Sequence, residues 1–150
     1  MAYKGFIIGH SFVHGLHAHL SHGCSYLLSP VEVAQQLKLD HLISALYIHG
    51  MRGGMLTASD FSLPSHQLQI SNPDFVLLDF GTNDLASGAH PLTVAAAIMD
   101  RAQELIQKYN VKQVYICSAL RRSGNLKISP SIHFEEIVQQ YNCYLKTSVK

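Results

Sequence analysis

The chain has 150 residues, which suits one domain able to bury roughly two-thirds of its unfolded surface without disulfide staples. Apolar residues make up 47% and charged residues 14%, which excludes a chain kept disordered by its own charge. With 11 Lys and Arg against 10 Asp and Glu, the chain has no basic footprint for DNA or RNA.

The first apolar run, residues 5–9, is short and is followed by polar residues, so it reads as a strand and not as a signal peptide. A helical pattern over residues 12–22 follows. Next comes Ser29-Pro30-Val31-Glu32, a helix start with a capping serine, proline at the first helical position and a capping-box glutamate. Residues 42–48 predict a second strand that ends at the glycine-rich turn Gly50-Met51-Arg52-Gly53-Gly54.

Residues 75–80 form a nearly continuous apolar run, as in a strand covered on both faces. Pro91 opens a long helix whose Leu92, Ala95, Ile98, Met99, Ala102 and Leu105 keep helical spacing. Residues 114–117 predict a fourth strand. A last helix places Phe134, Ile137, Val138, Tyr141 and Leu145 on one face. No linker or repeat interrupts residues 1–150, which are read as a single domain.

Alternating strands and helices predict an α/β fold, a parallel sheet with helices on both faces. A doubly wound sheet continues into a fifth strand after the last helix, so this strand is expected to be missing from the sequence. Its loss would leave an exposed sheet edge open to homo-oligomer pairing. No apolar run reaches the ~18 residues of a membrane span. Cys24, Cys117 and Cys143 cannot all pair within one chain and lack CxxC spacing, so a reduced, cytoplasmic setting is expected.

Chemistry is sought at the carboxyl ends of the strands. Gly9-His10-Ser11 follows the first strand and sets Ser11 at a helix start, where its hydroxyl can be exposed. Gly81-Thr82-Asn83-Asp84 follows the third, with Asn83 offering an amide donor. In strand order 2-1-3-4 these two turns face one crevice beside the Gly53-Gly54 turn. A nucleophile and convergent donors are the parts of an acyl-transfer site.

Gly9-His10-Ser11, Gly53-Gly54 and Gly81-Thr82-Asn83-Asp84 resemble, in order, the first three blocks of the SGNH/GDSL hydrolase family. The resemblance extends through Ala119-Leu120-Arg121, and Gly-Thr-Asn-Asp is its most specific piece. It implies a three-layer, flavodoxin-like α/β/α fold and a serine esterase or acylhydrolase working through an acyl-enzyme. Ser11 is then the nucleophile, and Ser11, Gly54 (or Gly53) and Asn83 form the oxyanion hole. His10, Gly53, Asp84 and Arg121 are assigned to substrate binding, with loop-holding the stronger role for Asp84.

Two departures stand out. His10 replaces the family's usual aspartate, and Gly-His-Ser-Phe-Val resembles divergent SGNH-like domains of animal retroelement-type proteins. The family's Asp-x-x-His block does not follow Tyr144. The base is therefore expected from sequence beyond this chain, or from His133; His49 and His90 lie on the same sheet edge. The rival expectation is an inactive SGNH-like module that binds a ligand or protein partner through the same crevice.

Bland readings stand beside these. Ser11 alone reads as a helix cap, Asn83 as a turn residue, and Arg121 with Arg122 as a solvated pair. His10, His14 and His17 share a helix face, yet no Cys or acidic residue stands near them. No metal and no cofactor are expected; the partner is a small-molecule ester.

Overall fold

A computed structural model describes residues 3–119 and 134–148. Four strands, β1 (Tyr3–Gly9), β2 (Ile43–Gly50), β3 (Phe75–Asp79) and β4 (Gln113–Ile116), pair in parallel in the order β2-β1-β3-β4. Around them lie α1 (Ser11–Leu20), α2 (Pro30–Gln36), α3 (Ser65–Ser71), α4 (Thr82–Ala86), α5 (Pro91–Lys108) and α6 (Phe134–Ser148). This is the expected α/β sheet with strand order 2-1-3-4, built as an α/β/α arrangement.

Alternation along β1 explains the layers, because successive strand side chains point to opposite faces. Phe6 and Ile8 join Val76 and Leu78 under α5 and α6, where Ile98, Leu105 and Tyr141 are fully buried. Ile7 points the other way, toward Leu46 and Ile48 of β2 and Val33 of α2. Truncating a residue such as Leu78 to alanine should cost about 2–5 kcal/mol.

Local signals hold where they were strongest. Ser29 and Glu32 form both bonds of a capping box at the start of α2. Pro91 starts α5, with the His90 ring as its cap. The second strand, however, runs on to Gly50, so the glycine-rich turn begins at Met51. A Cβ on Gly50 would overlap the His14 backbone, so α1 sits directly on the end of β2.

Two helices carry no strong sequence signal. The seven-residue α3 has no side-chain cap and is anchored by buried Leu68; it ends at Asn72 in the left-handed region. In α4 the Thr-Asn-Asp run, a turn by composition, becomes a single helical turn entered through Gly81. After β4, Asn142 of α6 pairs with Ala119, accepting from its N–H at 2.9 Å and donating to its carbonyl at 3.2 Å. No helix among the described residues is long and apolar enough to cross a membrane.

Candidate active site

The carboxyl ends of three strands are tied together. Gly9 pairs with Asp79, the His10 N–H donates to the Asp79 carbonyl at 3.2 Å, and the Met51 N–H donates to the Gly9 carbonyl at 2.7 Å. From this knot the chain turns into α1. Extended backbone at His10 lets its Nδ1 accept from the Phe12 N–H at 3.3 Å, capping the helix. A neutral ring that accepts at Nδ1 carries its proton on Nε2. That nitrogen stands 3.8 Å from Asp79 Oδ1.

Ser11 is the first residue of α1 and is exposed. Its N–H lies in the helix's first turn, where no carbonyl one turn earlier exists within the helix and the dipole is positive. Both features favour negative charge developing beside the hydroxyl.

On the β3 side the chain passes Gly81 with φ +115°, a conformation that side chains rarely adopt. A Cβ there would also lie 2.8 Å from the Tyr141 hydroxyl, so α6 packs directly on this turn. That hydroxyl donates to the Phe80 carbonyl at 3.5 Å. Burial, reinforced by the charges of Asp84 and Asp79, raises its pKa, so it stays a protonated donor.

Asn83 donates from Nδ2 to the Gly54 carbonyl at 3.3 Å. The neighbouring Asp84 is fully buried; its carboxylate accepts from the backbone N–H groups of Leu56 and Thr57 and from the Thr57 hydroxyl. Thus α4 holds the segment after β2 through two consecutive side chains. Within that segment the Gly54 N–H donates to the Met51 carbonyl at 2.9 Å, closing a turn with Gly53 at φ +66°.

Ser11, Thr82 and Asn83 line one crevice of about 660 Å³, and His10 also borders it. Phe12, Gly15, Leu16 and His19 supply the rest of the α1 wall. Sequence reasoning missed these four and Thr82 as lining residues, although Phe12, Leu16 and His19 do carry helical spacing. Gly53, Gly54 and Asp84 lie on the turn and its anchor and are not among the lining residues. His133, Arg121 and Arg122 lie outside the described residues.

The other histidines have separate surroundings. His17 Nε2 is 3.0 Å from the Leu28 carbonyl, His90 caps α5, and burial lowers the pKa of His49 in β2. Among the described residues no imidazole is hydrogen-bonded to the Ser11 hydroxyl, and no three His, Cys, Asp or Glu gather as a metal site. The three cysteines are unpaired, and burial followed by the nearby Asp79 raises the Cys117 thiol pKa.

No protein-family model matches the chain, and no curated protein sequence does. Solved structures do match in fold. AlinE4, an SGNH-hydrolase family esterase, superposes with a TM-score of 0.60 at 16% identity, over 99% of this chain and 72% of that one. A Bacteroides fragilis protein assigned as an acylhydrolase gives 0.59 at 15% identity, over 97% and 62%. A Parabacteroides merdae protein assigned as a GDSL-like lipase gives 0.58 at 11%, over 97% and 72%. The chain therefore has the SGNH/GDSL hydrolase fold.

Proposed function

We propose that this chain is an SGNH-type serine esterase or acylhydrolase acting on a small-molecule ester. The observation that carries the reading is the shared crevice: Ser11 beyond β1 and Asn83 beyond the adjacent β3 line the same opening. The Ser11 Oγ attacks the ester carbonyl carbon, and its proton passes through a histidine to the departing alcohol as the C–O bond breaks. Water then cleaves the acyl-enzyme and restores the serine. The Ser11 N–H and the Asn83 amide hold the oxyanion together with a backbone N–H of Gly54 or Gly53.

The proposed base is a histidine outside the described residues, and His133 is the candidate within this sequence. His10 and Arg121 meet the substrate in this reading, whereas Gly53 and Asp84 serve it by holding the turn. Unpaired cysteines suit a reducing, cytoplasmic compartment.

A second reading, an inactive SGNH-like module that binds a ligand or partner in this crevice, is favoured by one observation. The Gly54 N–H already donates to Met51, so it must leave that bond to reach an oxyanion. Covalent labelling by a fluorophosphonate, followed by intact mass, separates the two. The esterase reading expects one adduct on the wild type, none on Ser11→Ala, and strongly reduced labelling of His133→Ala. Absence of any adduct on the wild type would sink the claim that these 150 residues are a working esterase, leaving the binding module or an enzyme whose base lies in further sequence.

A further inference from the structure

We infer that the Ser11 crevice takes an unbranched aliphatic acyl chain, laid along the exposed face of α1 with Gly15 as its floor. This names a substrate class for the site proposed above and rests on that reading for its chemistry at Ser11. Five α1 residues line the crevice: Ser11, Phe12, Gly15, Leu16 and His19. Their spacing places them on one helix face, so the crevice runs along the helix and not across it.

From Ser11 to His19 the axis rises about 12 Å, the length of an extended chain of roughly eight to ten carbons. Phe12, beside the nucleophile, is 67% exposed and starts an apolar wall that Leu16 continues. Thr82 and Asn83 of α4 add polar groups to the lining. Among the described residues no Lys, Arg, Asp or Glu lines it, so the α1 wall suits a neutral chain.

Gly15 is the telling residue. Glycine is the poorest helix former after proline, yet it occupies the middle of α1. Its backbone is not in the left-handed region, and a Cβ there would meet nothing within 4 Å. Neither backbone conformation nor packing accounts for it. Each carbon added there would fill crevice space, which is the use a bare helix backbone has beside a ligand.

The occupant is the acyl and not the alcohol part. Between the two halves of the reaction the acyl group is bonded to Ser11 Oγ while the alcohol has left. A groove that starts at Ser11 and is walled by its own helix retains the group that stays.

The test uses p-nitrophenyl esters from acetate to decanoate on the wild type, Gly15→Ala and Gly15→Leu. For the wild type, kcat/KM should rise about two- to fourfold per methylene up to roughly eight carbons, from partial to full burial of each CH2. The octanoate-to-acetate ratio should fall in Gly15→Ala, which adds a methyl to open space, and approach one in Gly15→Leu. A flat wild-type series, or an unchanged ratio in both variants, would overturn the groove. A Gly15-dependent preference for octyl acetate over p-nitrophenyl octanoate would overturn the acyl assignment.

Octanamide binding, read by saturation-transfer NMR, gives a readout independent of turnover. Binding to the wild type that weakens at least several-fold in Gly15→Leu supports the groove. Such binding without hydrolysis of any ester would leave the groove standing and remove the esterase reading. No binding to the wild type would overturn the groove.

Discussion

The carboxylate of Asp84 receives both the backbone N–H and the hydroxyl of Thr57, each at 2.8 Å. With the Leu56 N–H at 3.1 Å on its other oxygen, this buried side chain fixes the middle of the loop that runs from Met51 to α3. The neighbouring Asn83 grips the same loop at Gly54, so an oxyanion-hole candidate and its support are consecutive in sequence. Asp84→Ala would leave buried donors unsatisfied and should cost about 2–4 kcal/mol in urea unfolding. Asp84→Asn keeps one acceptor and should cost less. Equal, negligible losses would remove the anchoring role.

His10 is bound to the helix it caps. Replacing it with alanine removes the acceptor for the Phe12 N–H and should lower stability by about 1 kcal/mol. His10→Asn, a preferred cap, should recover most of that loss, although the contact to Asp79 is gone. Chemical denaturation of the three proteins checks this. If asparagine fails to rescue, the Asp79 contact outweighs the cap.

Gly81 combines a positive φ with a Tyr141 hydroxyl where a Cβ would stand. Gly81→Ala should therefore destabilise by about 2–4 kcal/mol, from backbone strain and overpacking together. Adding Tyr141→Phe removes the hydroxyl contact at 2.8 Å but keeps ring carbons at 2.9 and 3.1 Å, so it relieves part of the collision while the strain remains. The double variant should accordingly be less unstable than the sum of the two single ones, which a thermodynamic cycle measures.

Burial lowers the pKa of His49 below the usual value near 6.5. The folded state thus favours the neutral ring, and the unfolded chain binds the proton more readily. Stability from this group is full above about pH 6.5 and declines as pH falls toward the folded value. His49 is only half-buried, so solvent screening keeps the effect small. His49→Gln should flatten this part of the acid limb, read as urea midpoints at pH 7.5 and 5.0. An identical slope in both proteins would contradict it.

Much of the frame was legible because its signals are local. The Ser29–Glu32 capping box, the proline-started α5 and the apolar run of β3 each depend on residues within a turn or a strand of one another. The Ser11 and Asn83 turns were legible for the same reason: a strand, a glycine and a polar residue in a row mark a strand end. The strand order then brought them to one crevice. What stayed hidden were α3, held mainly by buried Leu68, and the single-turn α4.

By itself, then, the sequence determined the α/β alternation, the strand ends that carry Ser11 and Asn83, and the glycines that let those ends turn. These follow from side-chain periodicity and backbone freedom, which act over a few residues. Only the tertiary structure decided that Asp84 holds Thr57, that Tyr141 closes over Gly81 and that α1 rests on Gly50. It also decided that the Gly54 N–H bonds within its own turn and that Gly15 lines the crevice. Each of these depends on which hydrogen-bond partner or open space the packed chain brings to a residue, and composition at that residue does not encode its neighbours.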